Sequence, residues 1–378
     1  MFPRAAVCLT LPLTALLAAP LCAASSEQQL QEALERIDQL EAGMAELNAR
    51  TGNRALAKAF DGLSLDIGGF LHTAYTAIDG ENGNADSFNR QNFELLISAD
   101  LATGWRAFFA GGFLRESDDP FAAENGGSAD SPQFDTNNRT PQIIAWVDYQ
   151  HNEALNLRLG RMVTPHGIIN IEHFPATLLD AEQPQFLRPF SGDTLFPNFG
   201  TGAQLYGQFY LGEEVHTEYS LYVTNHSEAP QQEQFGGRVA VGLLDRALEI
   251  GLNYADGQRA DGTIGNPNYE LHGVDLLIDK GRFQLKSEYY DVRENVTGGT
   301  DDRHAFYVQP AFRLTDQWTA FYRHDVLKVN GVETEENLVG VNFLPASVVR
   351  LRATYTRKDF VDQDIEADIY QLSGTFSF

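Results

Sequence analysis

Seven basic side chains would meet a passing solute if the chain folds as strands: Arg158, Arg282, Lys286, Arg313, Arg323, Arg350 and Arg352. A guanidinium stays charged at any working pH and pairs with carboxylate or phosphate in a planar fork, so a row of them can hand an anion along. In the C-terminal stretch only Glu288 and Asp325 oppose these cations on the same face. The long segment 163–200 carries the second chemical group: His166, Glu172, His173, Asp180, Glu182 and Asp193, with Arg188 among them. Carboxylates facing a basic wall would set up a transverse field that orients small polar solutes. The alternative is that the arginines neutralise neighbouring carboxylates and select nothing.

Other chemistries are poorly supplied. His166, Glu172 and His173 could ligate zinc, but their spacing fits no metal motif, so neither a metal nor another cofactor is expected. A hydrolase needs a nucleophile, a base and an orienting partner. His272 or His324 near a serine is the only raw material, and no spacing selects a set, so an enzyme is not expected.

The elements that must position these residues show in the composition. Across 378 residues the formal charge is -25, which argues against nucleic acid as a partner. Mean hydropathy is -0.28, which leaves no room for a bundle of membrane helices. Glycine (33), phenylalanine (25) and tyrosine (14) outnumber methionine (3), a balance that favours strands and turns.

From Leu63 onward the side chains alternate with a period of two. Leu65, Ile67 and Leu71 point one way and Asp66 and His72 the other; Phe93, Leu95 and Ile97 repeat the pattern. Strands are expected to start near Leu63, Arg90, Trp105, Gln142, Leu155, Thr201, Val215, Gln234, Leu248, Tyr269, Arg282, His304, Trp318, Glu336, Val348 and Ala367. Short turns (102–104, 150–154, 212–214, 245–247, 279–281, 315–317, 345–347) alternate with long polar loops (115–140, 163–200, 257–267, 293–303). That parity belongs to an up-and-down barrel crossing a membrane; a soluble sandwich has no reason to sort its loops.

The expected fold is therefore all-β, a 16-stranded antiparallel transmembrane β-barrel over residues 59–378, wide enough for a watery lumen. Trp105, Phe113, Tyr149, Tyr210, Tyr254 and Trp318 stand near strand ends, as interfacial girdles do. Pro310 predicts a bulge or a strand edge, and His272 and His324 fall on the lipid face near strand ends.

Residues 1–24 have the layout of a signal peptide, with Arg4, an apolar run and Ala23-Ala24 at the cut. Residues 25–58 are expected to form a short periplasmic coiled-coil helix and linker, with Leu30, Ile37 and Met44 alternating with Ala33, Leu40 and Leu47. An amphipathic helix packed on its own chain is the other reading of that segment.

The signal peptide, these heptads, the Leu157-Arg158-Leu159-Gly160-Arg161 strand running into Thr164-Pro165-His166-Gly167, the long third loop and the terminal Phe378 together resemble the trimeric bacterial porins. Within them the chain looks most like the phosphate-selective porins and the dicarboxylate-uptake porins that carry a coiled coil. The resemblance implies a homotrimer in the outer membrane of a Gram-negative bacterium, with the 163–200 loop folded into the lumen as a constriction. It also implies contact with outer-membrane lipid and lipopolysaccharide, and assembly by the barrel-assembly machinery through Phe378. The expected cargo is small hydrophilic solutes, anions such as phosphate or small carboxylates foremost. A general diffusion pore, or a closed barrel serving as a surface-binding protein or enzyme, are the alternatives.

Overall fold

The computed structural model describes residues 64–80, 83–116, 142–188, 195–212, 215–226, 233–258, 268–296, 299–329, 331–361 and 365–378. The expected signal peptide and coiled-coil segment lie outside these residues, as does Asp193. The strands are β1 Ser64–Gly80, β2 Gly83–Ala102, β3 Trp105–Glu116, β4 Gln142–Asn152, β5 Leu155–Val163, β6 Phe199–Leu211, β7 Val215–His226 and β8 Glu233–Leu243. They continue as β9 Leu248–Gln258, β10 Asn268–Lys280, β11 Phe283–Val296, β12 Gly299–Arg313, β13 Trp318–Val329, β14 Val332–Ala346, β15 Val349–Phe360 and β16 Ile365–Ser377.

Each strand pairs antiparallel with its sequence neighbours, and β1 pairs with β16, closing a barrel of sixteen strands. Closure leaves no open edge, so every strand has a partner for its backbone groups. At the seam Gly69 and Phe378 exchange both backbone hydrogen bonds at 3.1 Å, and the Phe378 ring stacks on Phe93 at 6.2 Å. Gly69 is required there, because a Cβ would run into the Phe378 ring and the Glu94 carbonyl.

The alternation read from the sequence is realised side by side. On β16 Tyr370, Leu372 and Phe376 are exposed, while Gln371, Ser373 and Thr375 between them are buried. Apolar residues are thus outside and polar ones inside, the reverse of a soluble protein. Outward Trp105, Tyr149, Phe283, Phe312, Trp318 and Phe376 ring the short-turn end. Farther up, Tyr254, Tyr289, Tyr322, Tyr355 and Tyr370 mark a second belt.

Several details differ from expectation. Strands β2, β12 and β14 start at Gly83, Gly299 and Val332, several residues before the expected Arg90, His304 and Glu336. Residues 293–296 and 299–303 are therefore ladder rather than a long loop: β11 and β12 pair as far as Val296 and Gly299. Polarity misleads here, because beyond the apolar outer band the strands continue with charged side chains. Pro310 lies inside β12 with no bulge; the β12–β13 ladder skips it and resumes in the same register, from Val308↔His324 to Ala311↔Phe321. Tyr210 follows the inward parity of β6 and packs on His216, so it belongs to the rim of the lumen and not to the outer girdle. His324 faces outward as expected but lies mid-strand, where its Nδ1 and the Tyr322 hydroxyl share the Asn337 side chain.

Candidate functional site

The described part of the expected 163–200 loop, residues 164–188 and 195–198, lies inside the barrel. Every wall residue it touches on β11, β13 and β14 has inward parity, among them Lys286, Glu288 and Tyr290, Arg323 and Asp325, and Glu336 and Asn342. The loop leaves β5 through a pinned neck. Thr164 N donates to the Asn198 carbonyl at 2.9 Å, Thr164 Oγ1 to the Pro197 carbonyl at 2.7 Å, and Asn170 Nδ2 back to the Thr164 carbonyl at 2.7 Å.

Gly167, at φ +63°, then turns the chain against the wall. A side chain there would be strained by the dihedral and would overlap the Glu288 carboxylate. This gives the Thr164-Pro165-His166-Gly167 run its meaning: the pattern docks the loop.

Two kinds of contact hold it. The first is an apolar core inside the lumen, where Ile169, Leu178, Phe186, Leu187, Leu195 and Phe196 bury against Tyr269, Leu271, Tyr290, Val292, Tyr307 and Leu327. The sequence reading missed this. The available signal was Leu271, Val292 and Leu327 at inward parity, where a lumen wall should be polar.

The second is a net of carboxylates and cations. Glu288 Oε1 accepts from Ile168 N at 3.0 Å, Ile169 N at 2.9 Å and the Tyr307 hydroxyl at 2.8 Å, and Oε2 accepts from the Tyr290 hydroxyl at 2.8 Å. Arg188 grips Glu336 through both terminal nitrogens, at 2.8 and 2.5 Å. Arg90 pairs with Glu182 at 2.6 Å.

The acidic loop does meet the basic wall, but the meeting is an anchorage. Arg323 lies 3.0 Å from Asp180 and donates to the Glu182 carbonyl at 2.9 Å. Arg350 donates to the Leu178 carbonyl at 2.7 Å, and Arg352 donates to the Leu179 carbonyl at 3.0 Å, the Leu178 carbonyl at 2.8 Å and the Pro175 carbonyl. Lys286 pairs with Glu172. The expected row of cations is engaged accordingly: Arg323, Arg350, Arg352 and Lys286 each make at least one hydrogen bond or ion pair to the loop. Arg282 and Arg313 remain on a cavity of about 610 Å³ at the short-turn end, together with Lys286 and Arg350.

Burial sets the loop's titrating groups. His166 is fully buried with Nε2 2.7 Å from the Tyr222 hydroxyl, and burial holds it down at about 3. His173 lies against the Phe174 ring at 4.0 Å and is held at about 4 for the same reason. Burial pushes Asp180 up, with Arg323 pulling the other way. Burial also pushes Glu182 up, but Arg90 and Arg188 outweigh it and leave the carboxyl below its ordinary value. Glu336 outweighs burial at Arg188 and raises it. His166 and Glu172 turn to different partners, and among the described residues no cluster of histidine, cysteine and carboxylate could hold a metal.

Arg158, on the opposite wall, is in another environment. It bridges Asp148 through two contacts of 3.3 Å, and its guanidinium lies 4.0 Å from the Trp146 ring centre and 4.9 Å from that of Tyr206. Gly160 lets the chain pass Trp146: it has φ +132°, and a Cβ would overlap the Ala145 carbonyl. A cavity of about 840 Å³ opens here between this wall and the loop, bounded by Phe108, Trp146, Arg158 and Tyr206 and by His173 and Phe174.

No protein-family model matches the chain. An uncharacterised protein of Aquifex aeolicus (strain VF5) is 24% identical over 293 residues, 62% of this chain. The match covers 65% of that relative, just under two thirds of its length. Solved structures of similar fold include an anion-selective porin from Comamonas acidovorans (TM-score 0.59, 13% identity), covering 84% of this chain and all of that one. Salmonella typhi OmpF in complex with daunomycin scores 0.57 at 13% identity, over 84% of this chain and 98% of its own. OmpT of Vibrio cholerae in trimer form scores 0.52 at 12% identity, over 84% and 99%. The chain thus has a porin-like fold.

Proposed function

We propose that the protein is a porin of the Gram-negative outer membrane, passing small hydrophilic solutes by diffusion. The observation that carries this reading is the closed sixteen-stranded barrel that exposes apolar side chains outward and folds its longest described loop into the lumen. Sixteen strands enclose more space than their own side chains fill. In this reading residues 1–24 are a signal peptide, and 25–58 form a periplasmic coiled coil that helps a homotrimer assemble. Lipid and lipopolysaccharide surround the barrel, and Phe378 presents the last strand to the assembly machinery.

The test is reconstitution of purified protein into planar bilayers. Discrete conductance steps are expected; a folded, inserted barrel that passes no current would overturn the reading in favour of a surface-binding protein or enzyme.

Preference for anions such as phosphate or small carboxylates is a finer proposal resting on Arg282 and Arg313 at the short-turn cavity. Under a salt gradient the reversal potential should favour anions and shift toward cations in Arg282→Ala/Arg313→Ala. A cation preference unmoved by those changes would leave a general diffusion pore.

A further inference from the structure

The cavity at the short-turn end holds two cations that have kept their binding capacity. The β11–β12 ladder pairs Phe283 with Phe312, and one step beyond it Arg313 N donates to the Arg282 carbonyl at 2.8 Å, so the two arginines stand directly across from each other. Both side chains are exposed and line the cavity. Arg282 spends one N–H on the Leu314 carbonyl, at a long 3.4 Å, and among the described residues neither guanidinium forms an ion pair. Like charges facing each other across a ladder repel, and an anion with two oxygens relieves that repulsion through the guanidinium forks.

The same rim also carries the opposite charge. Asp279 and Asp316 are exposed and line the cavity, and among the described residues neither pairs with a cation; Asp279 accepts only from Gln284 Nε2, at 3.0 Å. A dianion drawn to the arginines would meet these carboxylates, whereas a solute with one charge of each sign meets its complement at both ends.

The third feature is apolar. Leu179, Ala311 and Leu344 line the cavity, and Leu179 packs on a small core of Ala311, Phe321 and Leu338. Leu179 belongs to the lumen loop and is held in place by its carbonyl, which accepts from Asn342 Nδ2 at 2.6 Å. At about 610 Å³ the space has room for a solute of amino-acid size together with water.

On the porin reading above, we propose that this cavity is a binding subsite for zwitterionic, aliphatic α-amino acids. The carboxylate lies across Arg282 and Arg313, the ammonium turns toward Asp279 and Asp316, and the side chain rests on Leu179, Ala311 and Leu344. The subsite is complete only while the loop is docked, because the loop supplies Leu179.

The experiment is equilibrium dialysis of radiolabelled L-leucine against the folded protein in detergent at low salt. Isovalerate, which has the carboxylate and the branched chain alone, and isoamylamine, which has the ammonium and the chain alone, serve as competitors. Leucine should bind saturably, and each single-ended compound should compete at least tenfold more weakly. Asp279→Asn/Asp316→Asn should weaken leucine at least tenfold without weakening isovalerate, while Arg282→Ala/Arg313→Ala should weaken both. Should the alanine variant fail to fold, Arg282→Gln/Arg313→Gln carries the same expectation.

Absence of saturable binding, isovalerate competing as well as leucine, or leucine affinity unchanged in either pair of substitutions overturns the subsite. Dialysis needs no current, so the two readings fail separately. Channels that conduct but bind no leucine sink the subsite alone, and an inserted barrel that binds leucine but passes no current upholds the site and sinks the porin reading.

Discussion

At the scale of single residues, the lumen loop is held by a few positions whose chemistry admits no substitute. Gly167→Ala places a methyl group against the Glu288 carboxylate and the Tyr290 hydroxyl at a positive φ, and should unlatch the loop; larger conductance steps and noisier current would register it. Arg188→Gln leaves the buried Glu336 with Lys358 at 3.4 Å and weakens docking by about 3 kcal/mol, the scale for removing one member of a buried pair. Phe186, fully buried in the docked loop, should then become open to chymotrypsin, with a nicking rate well above that of the wild type.

Acid should act on the same latch. His166 and His173 are held neutral at about 3 and about 4 against an ordinary 6.5. A released loop takes up protons as the pH falls through 6.5, while the docked loop does not until about 4. Docking is therefore strongest above pH 6.5 and weakens below it, by about 1.4 kcal/mol per pH unit for each histidine. Current noise should rise between pH 7 and 4.5, and His166→Gln should flatten that rise.

At the scale of strands, the alternation of two made nearly the whole barrel legible. An apolar outer face and a polar inner one impose opposite demands on neighbouring residues, so the strands from β1 to β16 show their parity. What stayed hidden has one physical origin. Where the loop docks, the lumen is no longer wet, so Leu271 faces in and His272 out, and the polarity rule inverts locally. Likewise, parity cannot say that Arg323, Arg350 and Arg352 bond to loop carbonyls, because that depends on contacts more than a hundred residues apart. The seam carries a prediction of its own: removing Phe378 deletes both hydrogen bonds to Gly69 and the ring over Phe93. The folded fraction should fall several-fold, seen as loss of the heat-resistant compact band on a gel.

At the scale of the whole molecule, a cylinder with greasy outer walls holds its own loop inside, bonded to strands from both ends of the chain. The proposed trimer is tested by deleting residues 25–58: chemical crosslinking should capture fewer three-chain species, while conductance per barrel persists. That anchorage also constrains how the molecule comes into being. The loop emerges after the fifth strand, yet its receptacle is built from residues as far as 189 positions later in the chain. While the nascent polypeptide is incomplete the plug has no socket, so the narrowing of the passage is a late event that waits on the final strand. A cell that stalls this protein before its C-terminus would hold an unfinished palisade with its stopper hanging loose, which marks such intermediates as ready prey for proteases.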